Sequence, residues 1–135
     1  MALPSAPRFA YALARDLLPD DVRVESQSFP SAPGALPLVV VGTSAPVQVP
    51  NDPRVSTSVL TISYACYADT ADEALDLATV LYGRIQSAWR SGYRNDYGWL
   101  ASVGRDSLQP HRVASALEAD DQYRFDVLMS TIVRA

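Results

Sequence analysis

The sequence predicts an α+β fold: an antiparallel or mixed sheet of about four strands, packed on one face by two helices, with long extended loops between them. Three observations carry that expectation. Residues 54–67 alternate with period two and are rich in β-branched and aromatic side chains, as a half-buried strand requires. Immediately after them, Ala74, Leu77, Ala78, Leu81, Ile85, Ala88 and Trp89 recur at three- and four-residue steps, which makes the apolar stripe of a long helix. The alternation returns over residues 122–133, and that segment must share a sheet with residues 54–67 to bury its own apolar side. With 135 residues and 48% hydrophobic content, the chain is expected to form a single domain, residues 1–135, around one core.

Taken in order, residues 1–7 form a short arm with two prolines, Pro4 and Pro7. A first helix is expected from about residue 7 to 18, because Pro7 suits a first turn, Ser5 can cap it, and Phe9, Ala10, Leu13 and Leu17 give it an apolar side. Pro19-Asp20-Asp21 ends it; two adjacent carboxylates point different ways and read as a solvated turn rather than a metal site. Residues 22–25 make a short strand with Val22 and Val24 on one side, and the Ser-, Pro- and Gly-rich residues 26–35 make a loop. Residues 36–41 form a second strand, buried on both faces by the run Leu38-Val39-Val40-Val41. Residues 42–53 make another loop; Val47 and Val49 flank Gln48, so its middle is extended, and Pro46, Pro50 and Pro53 keep it at a sheet edge.

In the long strand, Leu60, Ile62, Tyr64 and Cys66 form the greasier set and should face a helix, with Val59, Thr61, Ser63 and Ala65 on the other side. Thr70 is placed to cap the helix that follows, with Glu73 completing a capping box and Asp72 and Glu73 favoured at the positive end of its dipole. That helix fails at Ser91-Gly92. Residues 92–112 set Tyr93, Tyr97 and Trp99 among Arg94, Asn95, Asp96 and Gly98, with a short strand at 99–103. Two readings stand: a loop pinned to the core by its rings, or a protein-binding surface, since Tyr, Trp and Arg are the residues enriched at interface hot spots. Residues 113–121 form either a helical turn or an extended linker that ends in the acidic turn Glu118-Ala119-Asp120-Asp121.

Charge and composition narrow the function. A net charge of −4 and a pI near 4.7 speak against sequence-specific nucleic acid binding, which needs clustered cations. The lone Cys66 excludes an internal disulfide and any multi-cysteine zinc site. No apolar run approaches the roughly 20 residues of a membrane span, and no basic region followed by an apolar stretch marks a signal peptide. The chain is therefore expected to be made and used in a cytosol, or within an assembly that forms there. No cofactor motif, phosphate-cradling loop or nucleophile elbow is present. The sharpest catalytic pairing, Cys66 with the single histidine His111, requires the thiol to leave the packed face of its strand.

The order of elements resembles the tail terminator (tail-completion, minor tail protein) family of long-tailed bacteriophages. The residues that carry the resemblance are the N-terminal helix ending near Leu18-Pro19, the strand Leu36-Pro37-Leu38-Val39-Val40-Val41, the Asp52-Pro53-Arg54-Val55 approach to a strand ending Tyr64-Ala65-Cys66-Tyr67-Ala68, and the helix start Thr70-Ala71-Asp72-Glu73-Ala74. Many relatives have a Gly-Gly turn after the second strand, where this chain has Gly42-Thr43-Ser44. The resemblance implies a structural virion protein without catalytic activity. It would form a hexameric ring on the head-proximal end of the tail tube, after assembly in the host cytoplasm. Its partners would be copies of itself, the major tail (tube) protein and the head-completion or stopper protein of the neck. Gln48, Asp52, Arg54, Arg94, Asp96, Tyr97 and Trp99 are the candidate subunit and tube contacts. The alternatives are a neck component, or a small cytosolic enzyme or ligand-binding domain.

Overall fold

The computed structural model describes residues 6–26, 36–44, 47–48, 57–104, 107–113 and 123–134. Two helices, α1 (Ala6–Leu17) and α2 (Ala71–Arg90), lie against a mixed sheet of eight strands: β1 (Arg23–Ser26), β2 (Leu38–Thr43), β3 (Val47–Gln48), β4 (Thr57–Ala68), β5 (Arg94–Asn95), β6 (Gly98–Val103), β7 (Leu108–Arg112) and β8 (Tyr123–Arg134). The expected α+β class and the two helices are present. The sheet is larger than the four strands expected. The extra members β3, β5 and β7 are two to five residues long, too short to print a periodic pattern in the sequence.

The spine of the sheet is the antiparallel pair β4 and β8, in register over all twelve residues from Thr57↔Arg134 to Ala68↔Tyr123. Each outer edge of this pair is shared by two strands. On β4 these are β2, from Leu38↔Tyr67 to Thr43↔Ile62, and β3, through Val47↔Val59 and Gln48↔Ser58. On β8 they are β7 near its start and β6 near its end. β1 runs parallel to β2, and β5 closes the far edge as a hairpin with β6. Helix α1 touches both β1 and β5, so the sheet curls until its two edges approach one helix.

One face of this curled sheet holds the core. Leu60, Ile62, Tyr64 and Cys66 of β4 face the helices, as the alternation requires, with Val127, Met129 and Val133 of β8 beside them. Phe9, Ala10 and Leu13 of α1, and Ala78, Leu81 and Ile85 of α2, fill the space above. Val22 and Val24 are both buried, and β2 is buried at Leu38, Val39 and Val41, which matches a strand covered on two sides. The Tyr64 hydroxyl lies wholly inside and donates to the Ala10 carbonyl at 3.0 Å, so the one polar atom of that ring has a partner. Burial of apolar area on this scale is what offsets the backbone entropy lost on folding.

The ends of α2 follow from local chemistry. Thr70 is extended, and its Oγ1 accepts from the Glu73 amide at 3.1 Å. At the other end Gly92 turns to φ +76°, its amide bonds the Trp89 carbonyl, and the Tyr93 amide bonds the Ala88 carbonyl. This pair of bonds around a left-handed glycine is the Schellman arrangement, and it sets the direction in which the chain leaves the helix. Residues 27–35, most of the 42–53 loop, residues 54–56 and residues 114–122 lie outside the described residues, as do the expectations placed on them.

Candidate functional site

The segment of rings and arginines after α2 is a hairpin, not an irregular loop. Residues Arg94 and Asn95 pair with Trp99 and Gly98 across the turn Asp96-Tyr97. Three features hold it. Asn95 Oδ1 accepts from the Tyr97 amide at 2.8 Å, an Asx turn that closes the hairpin on itself. Asn95 Nδ2 donates to the Tyr93 hydroxyl at 3.0 Å and to the Phe9 carbonyl at 3.4 Å, and the Tyr93 hydroxyl donates to Asp16 Oδ2 at 2.6 Å. Gly98 approaches β8 so closely that a Cβ there would stand 2.7 Å from Val133 Cγ1 and 3.1 Å from the Arg134 carbonyl oxygen. Tyr93 also meets Phe9 edge to face, with centroids 6.3 Å apart. Burial first, and then the bond to Asp16, push the Tyr93 hydroxyl well above its ordinary range, so it is a proton donor at any physiological pH.

The hairpin distributes the sequence candidates over two sides. Asn95 points at α1, so Arg94 and Trp99, its opposites in the pleat, lie on the sheet face away from the helices. There the Arg134 guanidinium sits 5.7 Å from the centre of the Trp99 ring. Asp96 and Tyr97 occupy the turn, both exposed, and Arg8 of α1 stacks over Tyr97 at 6.0 Å. Pro7, Arg8, Tyr11, Arg15, Ser26 and Tyr97 are among the residues lining an open groove of about 430 Å³ beside this turn. Arg15 is not available to a ligand, because its guanidinium bonds the Val22 and Pro19 carbonyls at 2.7 Å each and locks the turn after α1. Sequence reasoning missed Arg8 and Tyr11, which sit on the exposed side of a helix read only for its apolar face. Gln48 belongs to β3, while Asp52 and Arg54 lie outside the described residues.

The Cys66–His111 pairing is dismantled by the register. Cys66 faces the helices and is fully buried, while His111 sits opposite Asp126 on the other side of the sheet, exposed at the edge strand β7. Burial, with the Asp126 charge adding to it, pushes the Cys66 thiol far above its ordinary value of 9.0, the reverse of an activated nucleophile. Pro110 falls where the β7–β8 register shifts, at an edge where its missing N–H does no harm. Among the described residues no group of three or more His, Cys, Asp or Glu side chains is placed to hold a metal ion. No described helix is long and apolar enough to cross a membrane.

The two ends of the sheet differ in charge. Among the described residues, the end at Arg134, where β6 begins, carries Arg8, Arg94 and Arg134 with the acids Asp96 and Asp16, the latter already bonded to Tyr93. The described residues of the end at Tyr123, where β4 hands over to α2, include Asp69, Asp72, Glu73 and Asp76 with Arg112, beside the ion pair Arg124–Asp126, which is neutral as a unit. Among the described residues five large apolar side chains are more than a third exposed, and four of them sit on these surfaces: Tyr11 and Tyr97 by the groove, Leu75 and Val80 on α2.

No protein-family model matches the chain, and no curated protein matches it. Among solved structures it is similar to a chain from the virion of a native gene transfer agent (GTA) particle. The TM-score is 0.52 at 16% identity, over 96% of this chain and 94% of that one. The likeness runs over nearly the full length of both chains, so this protein shares the fold of that virion chain.

Proposed function

We propose that this protein is a structural subunit of a phage-like virion, and that copies of it join head to tail in a ring that caps the tail tube. The observation that carries the reading is the full-length likeness to a virion chain, in a fold that buries its only thiol and displays rings and arginines at its surface. A closed ring needs two different surfaces on each subunit, related by a rotation that returns to its start. The contrasting ends of the sheet supply two such surfaces. The ring is hexameric on this reading, as in the family the sequence resembles, and it sits at the head-proximal end of the tail between the tube protein and a head-completion protein. Its role is to be a fixed shape, so no residue is assigned to catalysis.

The test is the mass of the purified protein in solution, measured alone and then with tail tubes assembled without it. A closed ring, or a monomer that becomes a ring at tube ends, is the expected result. A monomer that ignores tubes overturns the reading and turns attention to portal complexes and small-molecule ligands.

A further inference from the structure

We infer that the arginine-bearing end around the β5–β6 hairpin docks on the acidic first half of α2 of the next copy. This inference rests on the ring reading above and names the two surfaces that meet. Three observations carry it.

The first is position. Gly98 and Trp99 follow the Asp96-Tyr97 turn, and Trp99 pairs with Arg134, the last residue of β8. Ala68, from which the chain enters Asp69 and α2, pairs with Tyr123, the first residue of β8. Twelve extended residues separate those two points, roughly 35–40 Å at the usual rise. The two surfaces therefore lie at opposite ends of the molecule and cannot meet within one chain. They can meet only between copies, and because they differ, the contact is heterologous.

The second is charge. Arg8 and Arg94 are both exposed at one end, and Asp72, Glu73 and Asp76 are exposed at the other. Asp96 and the Tyr93-bonded Asp16 also lie at the arginine end, yet with Arg8, Arg94 and Arg134 it keeps a positive balance in a chain of net charge −4, and the partner it fits is an acidic surface. The third is apolar exposure. Tyr11 and Tyr97 flank Arg8, and Leu75 and Val80 stand on the same helix as Asp72 and Asp76, each between 37% and 42% exposed. Rings beside arginines on one side, and aliphatic groups among carboxylates on the other, make a matched apolar centre with a charged rim.

Charge reversal with rescue tests this. R8E/R94E and D72R/D76R chains should each fold, because all four side chains are exposed, and each should lose self-association by about tenfold or more in sedimentation at matched ionic strength. Mixed one to one, they should associate again, since every contact in an alternating ring then pairs an acid with a base. A D72R/D76R chain damaged in folding would not be rescued by mixing, which separates misfolding from loss of contact. Wild-type association that neither variant changes overturns the inference while leaving the ring standing. Variants that still self-associate but no longer cap tubes also overturn it, and assign these surfaces to the tube. Where the wild-type chain is monomeric in solution, the same variants are read at tube ends: each alone should fail to cap tubes and the one-to-one mixture should cap them, and a mixture that caps no better than either variant overturns the inference. Capping of tubes by the wild-type chain then decides the ring reading separately.

Discussion

Replacing Gly98 with alanine is a one-carbon perturbation whose cost can be worked from the structure. The added Cβ would meet Val133 Cγ1 at 2.7 Å, the Arg134 carbonyl oxygen at 3.1 Å and Phe9 Cδ2 at 3.4 Å. Val133 is fully buried and β-branched, so its methyl cannot swing away by a free rotation. The carbonyl belongs to the backbone of the sheet's central strand, so the remaining relief is to push the hairpin outward. Overpacking of this kind costs about 1–3 kcal/mol. With a urea m-value of about 2 kcal/mol/M for a domain of this size, the unfolding midpoint should fall by about 0.5–1.5 M. The companion variant Val133→Ala removes the offended methyl and opens a small cavity of its own. If the clash is the cause, the double variant should be less damaged than the sum of the singles by roughly 1 kcal/mol or more. Strict additivity, or a Gly98→Ala chain as stable as the parent, would refute the reasoning.

Four further outcomes follow from the same structure. Gly83→Ala should stabilise the chain by about 0.5–1 kcal/mol in urea unfolding, because the glycine is mid-helix, exposed, and a Cβ there meets nothing within 4 Å. Tyr64→Phe should cost about 1 kcal/mol by the same assay, through loss of the buried bond to Ala10. Alkaline pH should destabilise the fold: burial raises the Cys66 thiol and the Tyr64 hydroxyl above their ordinary 9.0 and 10.0, so their contribution is complete below pH 9 and declines above it as the unfolded chain releases those protons first. Urea midpoints measured from pH 8 to 11 should fall, and less steeply in a Cys66→Ala chain. Arg94→Ala should leave the urea midpoint unchanged yet weaken self-association, and Trp99→Ala should weaken it too; unchanged association in both removes the hairpin from the interface.

The parts legible in the sequence were those with long periods. Twelve alternating residues in β4 and β8, and twenty with a three-and-four repeat in α2, repeat their pattern often enough to fix which face is buried. Even the two sets on β4 came out on the expected sides, with Cys66 inward. The hairpin was not legible, because β5 has two residues and its identity rests on the Asn95 side chain reaching Phe9, 86 positions away. β7 was hidden by Pro110, which argues against a strand in any local reading and is tolerated only because it lies at an edge and a register shift. The candidate surface was half legible. Arg94, Asp96, Tyr97 and Trp99 stood out by composition, but nothing local tells that the pleat sends Arg94 and Trp99 to one side and that Arg8 comes from α1 to stack on Tyr97.

The last strand in chain order is the one in the middle of the sheet, and this bears on the order of events during synthesis. Until residues 123–134 have been made, β4 lacks the partner that runs along its whole length, β6 has only the two residues of β5 to pair with, and β7 has no strand partner among the described residues. The hairpin that carries Trp99 and Tyr97 is anchored through β6 to that same strand. An unfinished chain therefore presents neither a closed core nor a shaped arginine end, and contacts so distant in sequence form slowly compared with helix turns. On the ring reading proposed above, products truncated before residue 123 would be unable to enter the ring and block it, because the arginine end and the completed fold depend on one stretch of polypeptide.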